Sequence, residues 1–306
     1  MAPYPASQSA LSWTIVGQGA IGLLAACHLQ QHAISVALHL RQPNKLDIGF
    51  TAYNGQQQQH HFTAAKAPYQ AVLVPVKSYD ILAAIKQLIP LLSSQAQIVL
   101  SHNGMGTIEQ VLPLLLPSQG LWFLTTTHAA LKPSATTLHH TGQGQAVLAA
   151  LNLAAHNQSS AVKQAMATAL GPVQLVTDIR PYLWQKLLIN AVINPLTAIN
   201  NCKNGDLLAA SYTRVIHQLV AEVCAVSEAA GYKFIVDSEI QRVRQVMQAT
   251  ANNFSSMQQD VYHQRQTEIN AISGFIVNQG LKYAINTPVN VQLQQQVLQL
   301  QQRYGL

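Results

Sequence analysis

Three polar residues recur at four-residue intervals in an otherwise apolar run: Lys186, Asn190 and Asn194, within WQKLLINAVINPLTAINNCKNG (residues 184–205). In a helix, four residues overshoot a full turn by roughly 40°, so the three side chains form one narrow stripe. Leu187, Leu188, Ile189, Ala191, Val192 and Ile193 fill the positions between. A helix this apolar belongs inside a protein, where an amine and two carboxamides are costly without partners. Two readings follow. Either the stripe lines a ligand-accessible cleft, with Lys186 a general acid whose pKa desolvation lowers toward the working range, or the lysine snorkels and the asparagines bond neighbouring backbone. A second series, Ser256, Asp260, Gln264 and Glu268, also steps by four, in a stretch read as one helix from Phe254 to Asn278. Glu268 is a candidate partner for Lys186, although an exposed helix face carries such a series too.

A different chemistry is written near the start. Trp13–Val16 reads as a strand, Leu23–Leu29 as a helix, and between them stands Gly17-Gln18-Gly19-Ala20-Ile21-Gly22. Strand, G-x-G-x-x-G, helix is the dinucleotide-binding context. The first glycine permits the turn, the second admits a pyrophosphate, and the third lets helix and strand pack closely. The helix N-terminus adds unpaired N–H groups and a favourable dipole. An acid at the end of the next strand, Ile34–Leu40, would bond a ribose 2′-hydroxyl. Arg41 stands there instead. A guanidinium suits a 2′-phosphate, which favours NADP(H) over NAD(H); a solvated arginine after a strand is the alternative. Further strands are read at 71–76, 97–101 and 121–127. The second puts Asn103, in His102-Asn103-Gly104-Met105-Gly106, at its carboxyl end, and the first ends at Lys77. Ligands of open parallel sheets bind outside those ends.

The elements that must hold these residues divide the chain. After the helix at 79–92, two short β runs near 136–140 and 145–151, a helix at 159–170 and a strand at 173–176 complete an α/β part. Residues 42–68, including Gln56–Gln59, read as one or two ill-defined edge strands. Pro75 should end its ladder. From Ile179 the β signal vanishes and helices follow at 180–198, 214–230, 237–250, 254–278 and 289–303, punctuated by Gly231, Gly280 and Pro288. The expected organisation is a short disordered tail (1–11), an α/β Rossmann-type dinucleotide-binding domain (12–178), and an all-α C-terminal domain (179–306). That division sets the Lys186 helix at the domain junction, where ligand clefts are favoured.

Composition agrees. The 306 residues are 49% hydrophobic and only 9% charged, which suits large cores and excludes a disordered chain. The +6 net charge is spread along the sequence, so small anions are expected partners and nucleic acid is not. No apolar run spans a bilayer and the first residues lack a secretory pattern, so no membrane partner is expected. Cys27, Cys202 and Cys224 suit reduced thiols in the cytoplasm, and neither they nor the scattered histidines have metal spacing, so no metal is expected. A homodimer is compatible with the sequence, which does not fix subunit number.

Taken in order, the glycine motif, His102–Gly106, K-x-x-x-N-x-x-x-N-P from Lys186 to Pro195, Asn204-Gly205, and Ser255-Ser256-Met257 through Asp260 to Glu268 resemble the ketopantoate reductases. The likeness runs from about Trp13 to about Gly280. It implies NADPH-dependent reduction of ketopantoate in pantothenate biosynthesis. By the resemblance Lys186 is the proton donor, and Asn190, Asn194, Asn204 and Ser256 hold the substrate's carboxylate and hydroxyl. Asn103 lies between cofactor and substrate, and Glu268 contacts the nicotinamide end and places Lys186. Ala130 lies on the cofactor path, with Arg41 and Lys77 at phosphate or ribose. Two other readings stand beside it: a reductase of another 2-keto acid on the same scaffold, and an NADP(H)-binding regulator without catalysis. A paired amine and carboxylate argues against the second.

Overall fold

The computed structural model describes residues 11–42 and 45–305; the expected disordered tail falls, apart from Leu11, outside them. The chain forms two compact units, one comprising the N-terminal portion to His102 with Thr107–Ile179, the other Asn103–Gly106 with Arg180 onward.

The first unit runs β1 (Trp13–Val16), α1 (Ala20–Gln31), β2 (Val36–His39), β3 (Leu46–Thr51), β4 (Gln57–Phe62), β5 (Tyr69–Val74), α2 (Ile81–Leu88), β6 (Leu92–Leu100), α3 (Ile108–Val111), β7 (Gly120–Thr126), β8 (Ala129–Ser134), β9 (Thr137–Gly142), β10 (Ala146–Ala150), α4 (Leu153–His156), α5 (Ser159–Leu170) and β11 (Val173–Val176). Seven strands make one sheet in the order β11-β10-β7-β6-β5-β1-β2. All its pairings are parallel except β7 with β10. Central strands β5 and β7 are buried almost throughout, as parallel strands covered on both faces must be. β5 stops at Val74, just before Pro75, whose missing N–H cannot serve a ladder.

The stretch expected to hold ill-defined edge strands instead contributes β3 and β4 to a second, four-stranded sheet, β4-β3-β9-β8. Its glutamines face solvent, while Ile48, Phe50, His60, Phe62 and Leu138 turn inward. β8 was not foreseen. It contains Pro133, and its pairing with β9 slips on both sides of Ala130–Leu131.

The second unit contains α6 (Arg180–Asn200), α7 (Thr213–Ala229), α8 (Val236–Ala249), α9 (Ser256–Tyr262), α10 (Ser273–Lys282) and α11 (Pro288–Gln302). Helix α6 passes through Pro195; the hydroxyl of Thr197 donates to the carbonyl of Ile193 at 2.7 Å, closing that turn. No described helix is long and apolar enough to cross a membrane.

One expectation is corrected. Residues 254–278 are not a single helix. Helix α9 ends at Tyr262, Gln264 takes φ +54°, and a 3-10 turn at Ile269–Ala271 precedes α10. Arg265 enforces the break twice: its N–H reaches the Asp260 carbonyl at 2.7 Å, and its Nε pairs with the Asp260 carboxylate at 3.1 Å. Ser256, Asp260, Gln264 and Glu268 therefore do not share a helix face.

Candidate active site

Within the helical unit the break is what delivers Glu268. It precedes the 3-10 turn, its carbonyl accepts from the N–H groups of Ala271 and Ile272 at 3.0 and 3.1 Å, and only 4% of it is exposed. Thr267 anchors the approach. Its N–H and hydroxyl both donate to Oε1 of Gln301, near the end of α11, at 2.7 and 2.5 Å.

Asn103 reaches the same carboxylate, its Nδ2 donating to Glu268 at 3.1 Å. The loop that carries Asn103 is shaped for this approach. Gly104 has φ +82°, and a Cβ there would strike the backbone carbonyl of Ala271. Met105 donates its N–H to that carbonyl at 3.3 Å. The loop thus seats directly on the turn that follows Glu268.

Lys186, on α6, interacts with Glu268 electrostatically. Burial pushes its pKa down from 10.5 to about 8, against the opposing pull of the Glu268 carboxylate. Desolvation wins because an ammonium loses more hydration than one carboxylate returns. The result is an amine, a carboxylate and a carboxamide in one group.

The other expected substrate residues take varied positions. Asn194 is 6% exposed and Asn190 is half-buried, both on α6. Asn204 begins a 3-10 turn, where its Nδ2 donates to the Thr250 hydroxyl at 2.9 Å. Its Oδ1 is buried with no partner among the described residues, an acceptor still to be used. Ser256 is exposed at the first turn of α9. Its neighbour Ser255 does the structural work, capping α9 through the Gln258 N–H at 3.0 Å, with its hydroxyl 2.7 Å from that of Thr197.

In the α/β unit, Gly17 takes φ +80° and its N–H bonds the His39 carbonyl at 2.8 Å. Gly19 caps α1 with no side-chain bond and no acid in the first turn, leaving the N-terminal amides for an anion. A Cβ on Gly19 would come no closer than 3.7 Å to any neighbouring atom; one on Gly22 would meet Pro75 at 2.7 Å and Ile15 at 3.1 Å. Gly22 is therefore required by packing, while the openness at Gly19, with Gln18, Ala20 and Ile21 around it, fits a diphosphate. Arg41 extends into solvent, 92% exposed, with a loose 3.9 Å approach to Asp80, a pair weak enough to yield to a phosphate. Lys77 precedes the 3-10 turn that leads into α2, and Ala130 lies on β8 against the core. The sequence reading missed Lys132, which contacts the glycine-rich turn; nothing in its local spacing signals that.

Residues 13–152 match the family described as ketopantoate reductase PanE/ApbA, and residues 178–301 its C-terminal part. Among curated relatives, the 2-dehydropantoate 2-reductase of Vibrio cholerae is 38% identical over 294 residues, covering 95% of this chain and 98% of that protein. Among solved structures, a PanE/ApbA family ketopantoate reductase from Ralstonia eutropha JMP134 aligns with TM-score 0.85 at 24% identity, over 97% of this chain and 100% of that one. A ternary structure of D-mandelate dehydrogenase with NADH and anilino(oxo)acetate aligns with TM-score 0.86 at 18% identity over 97% and 100%. At these identities the two structures speak to fold alone.

Proposed function

The chain belongs to the ketopantoate reductase family, and on that premise we propose that it reduces 2-dehydropantoate to (R)-pantoate with NADPH, on the route to pantothenate. The observation that carries this reading is the Lys186 amine on an apolar helix, its pKa pushed down by desolvation and pulled up by Glu268, a carboxylate fixed by Asn103. A nicotinamide supplies the hydride when bound. As negative charge grows on the substrate's keto oxygen, the Lys186 ammonium stabilises it and then donates its proton from Nζ. Glu268 keeps that amine charged against the cost of burial and fixes its direction. Asn190, Asn194, Asn204 and Ser256 hold the carboxylate and hydroxyl of the substrate, where carboxamides supply both donors and acceptors.

Gly17, Gly19 and Gly22 with the start of α1 hold the diphosphate, and Arg41 takes the 2′-phosphate that distinguishes NADPH from NADH. Lys77 and Ala130 complete the cofactor side. The deciding experiment is NADPH oxidation by the purified protein with ketopantoate, pyruvate and an aryl 2-keto acid. Highest kcat/KM on ketopantoate is expected. A preference for another keto acid would reassign the substrate, and no turnover with any would remove the enzymatic reading.

A further inference from the structure

We infer that Lys132 is a diphosphate-binding residue of the dinucleotide site, supplying from a strand of the small sheet the cationic side chain that the glycine-rich turn lacks. The inference rests on the dinucleotide reading given above. Lys132 lies on β8 and its Nζ donates to the backbone carbonyl of Gln18 at 2.9 Å, joining residues 114 apart in sequence. Gln18 is the second residue of G-x-G-x-x-G, immediately before the residue that caps α1. The ammonium therefore stands at the turn whose amides no side chain caps.

Three features make this more than a surface contact. First, a neutral carbonyl is a poor partner for an ammonium, and among the described residues Lys132 makes no ion pair. Second, the turn has no charge of its own. Gly17 to Gly22 contain no basic residue and α1 has no acid in its first turn, so Lys132 is not there to balance a local carboxylate. Third, alternation along β8 puts Lys132 on the same side as Ala130: both are half-buried, with exposed Leu131 between them. Burial also lowers the amine's pKa, a cost that a diphosphate would reverse. Arg41 and Lys132 then divide the work: the first reads the 2′-phosphate, the second the diphosphate common to both nicotinamide cofactors.

The test is direct binding, by calorimetry, of NADPH, NADH and 2′-AMP to the parent protein, Lys132→Met and Lys132→Arg, with thermal melts of each. Lys132→Met should weaken NADPH and NADH alike by about tenfold to a hundredfold, the scale of one charge-assisted hydrogen bond. It should leave 2′-AMP, which lacks a diphosphate, unchanged, and Lys132→Arg should restore most of the loss. Unchanged NADPH affinity in a stable Lys132→Met protein would overturn the inference while the dinucleotide reading survived. An equal loss for all three ligands with a lowered melting point would also overturn it, assigning Lys132 to structure. A parent protein that bound neither dinucleotide would remove both readings.

Discussion

The glycine-rich turn and the Lys186 group are built in opposite ways. The turn works through backbone and through the side chains it omits: free amides at the start of α1, open space at Gly19, close packing at Gly22. The Lys186 group works through side chains held in a poorly solvated place, where every charge is shifted or paired. The difference predicts different failures. Substitutions in the turn act by volume and change affinity or folding. Substitutions around Lys186 act by charge and change rate and pH dependence.

The largest expected effect tests the charge side. Lys186→Gln keeps length and some hydrogen bonding but cannot donate as an ammonium. It should lower kcat by roughly a hundredfold or more while NADPH affinity, measured by fluorescence titration, stays near the parent's. In the parent, the rate should fall as pH rises through about 8, because the depressed pKa removes the ammonium there; that limb should be absent in the variant. A near-parent rate with the limb intact would place the acid elsewhere.

The same residue has a thermodynamic signature. Its folded pKa lies below the unfolded one, so between about pH 8 and 10.5 the unfolded chain binds more protons at this site. Folding should thus gain with rising pH, by up to about 3 kcal/mol for a shift of this size. The stability difference between parent and Lys186→Met, from urea melts across that window, should move in the parent's favour. A flat difference would mean that the amine is better solvated than its burial implies.

On the volume side, two glycines separate binding from folding. Gly22→Ala drives a methyl into Pro75 and Ile15 and should cost about 1–3 kcal/mol of stability. Gly19→Ala meets nothing closer than 3.7 Å and should leave stability within about 0.5 kcal/mol, yet weaken NADPH. Parallel losses of stability in the two variants would erase the distinction. The smallest effect is expected at Arg41: Arg41→Ala should weaken NADPH by about tenfold and hardly touch NADH. Equal weakening of both would detach Arg41 from the 2′-phosphate.

Legibility in the sequence followed the same divide. The turn was legible because backbone needs write themselves as glycines, and α6 because a four-residue polar stripe stands out in an apolar helix. Glu268 was legible as a residue but not as a position. The break after Tyr262 carries no glycine or proline; it depends on Arg265 folding back onto Asp260, a contact that periodicity does not reveal. β4 was obscured because its outward residues are glutamines, poor strand formers, and only His60 and Phe62 turn inward. β8 was hidden by Pro133, tolerable because it lies on an edge strand. Lys132 was invisible because its partner lies 114 residues away.

The tie between Thr267 and Gln301 has a practical consequence. The proposed catalytic carboxylate is moored, one residue along, to the penultimate residue of α11. Deleting residues 301–306, or attaching a surface or fusion partner tightly against that end, should detune turnover while leaving the hydrophobic core intact. An assay of such a shortened protein would report a sluggish enzyme that melts almost normally, and the fault would lie at the tail.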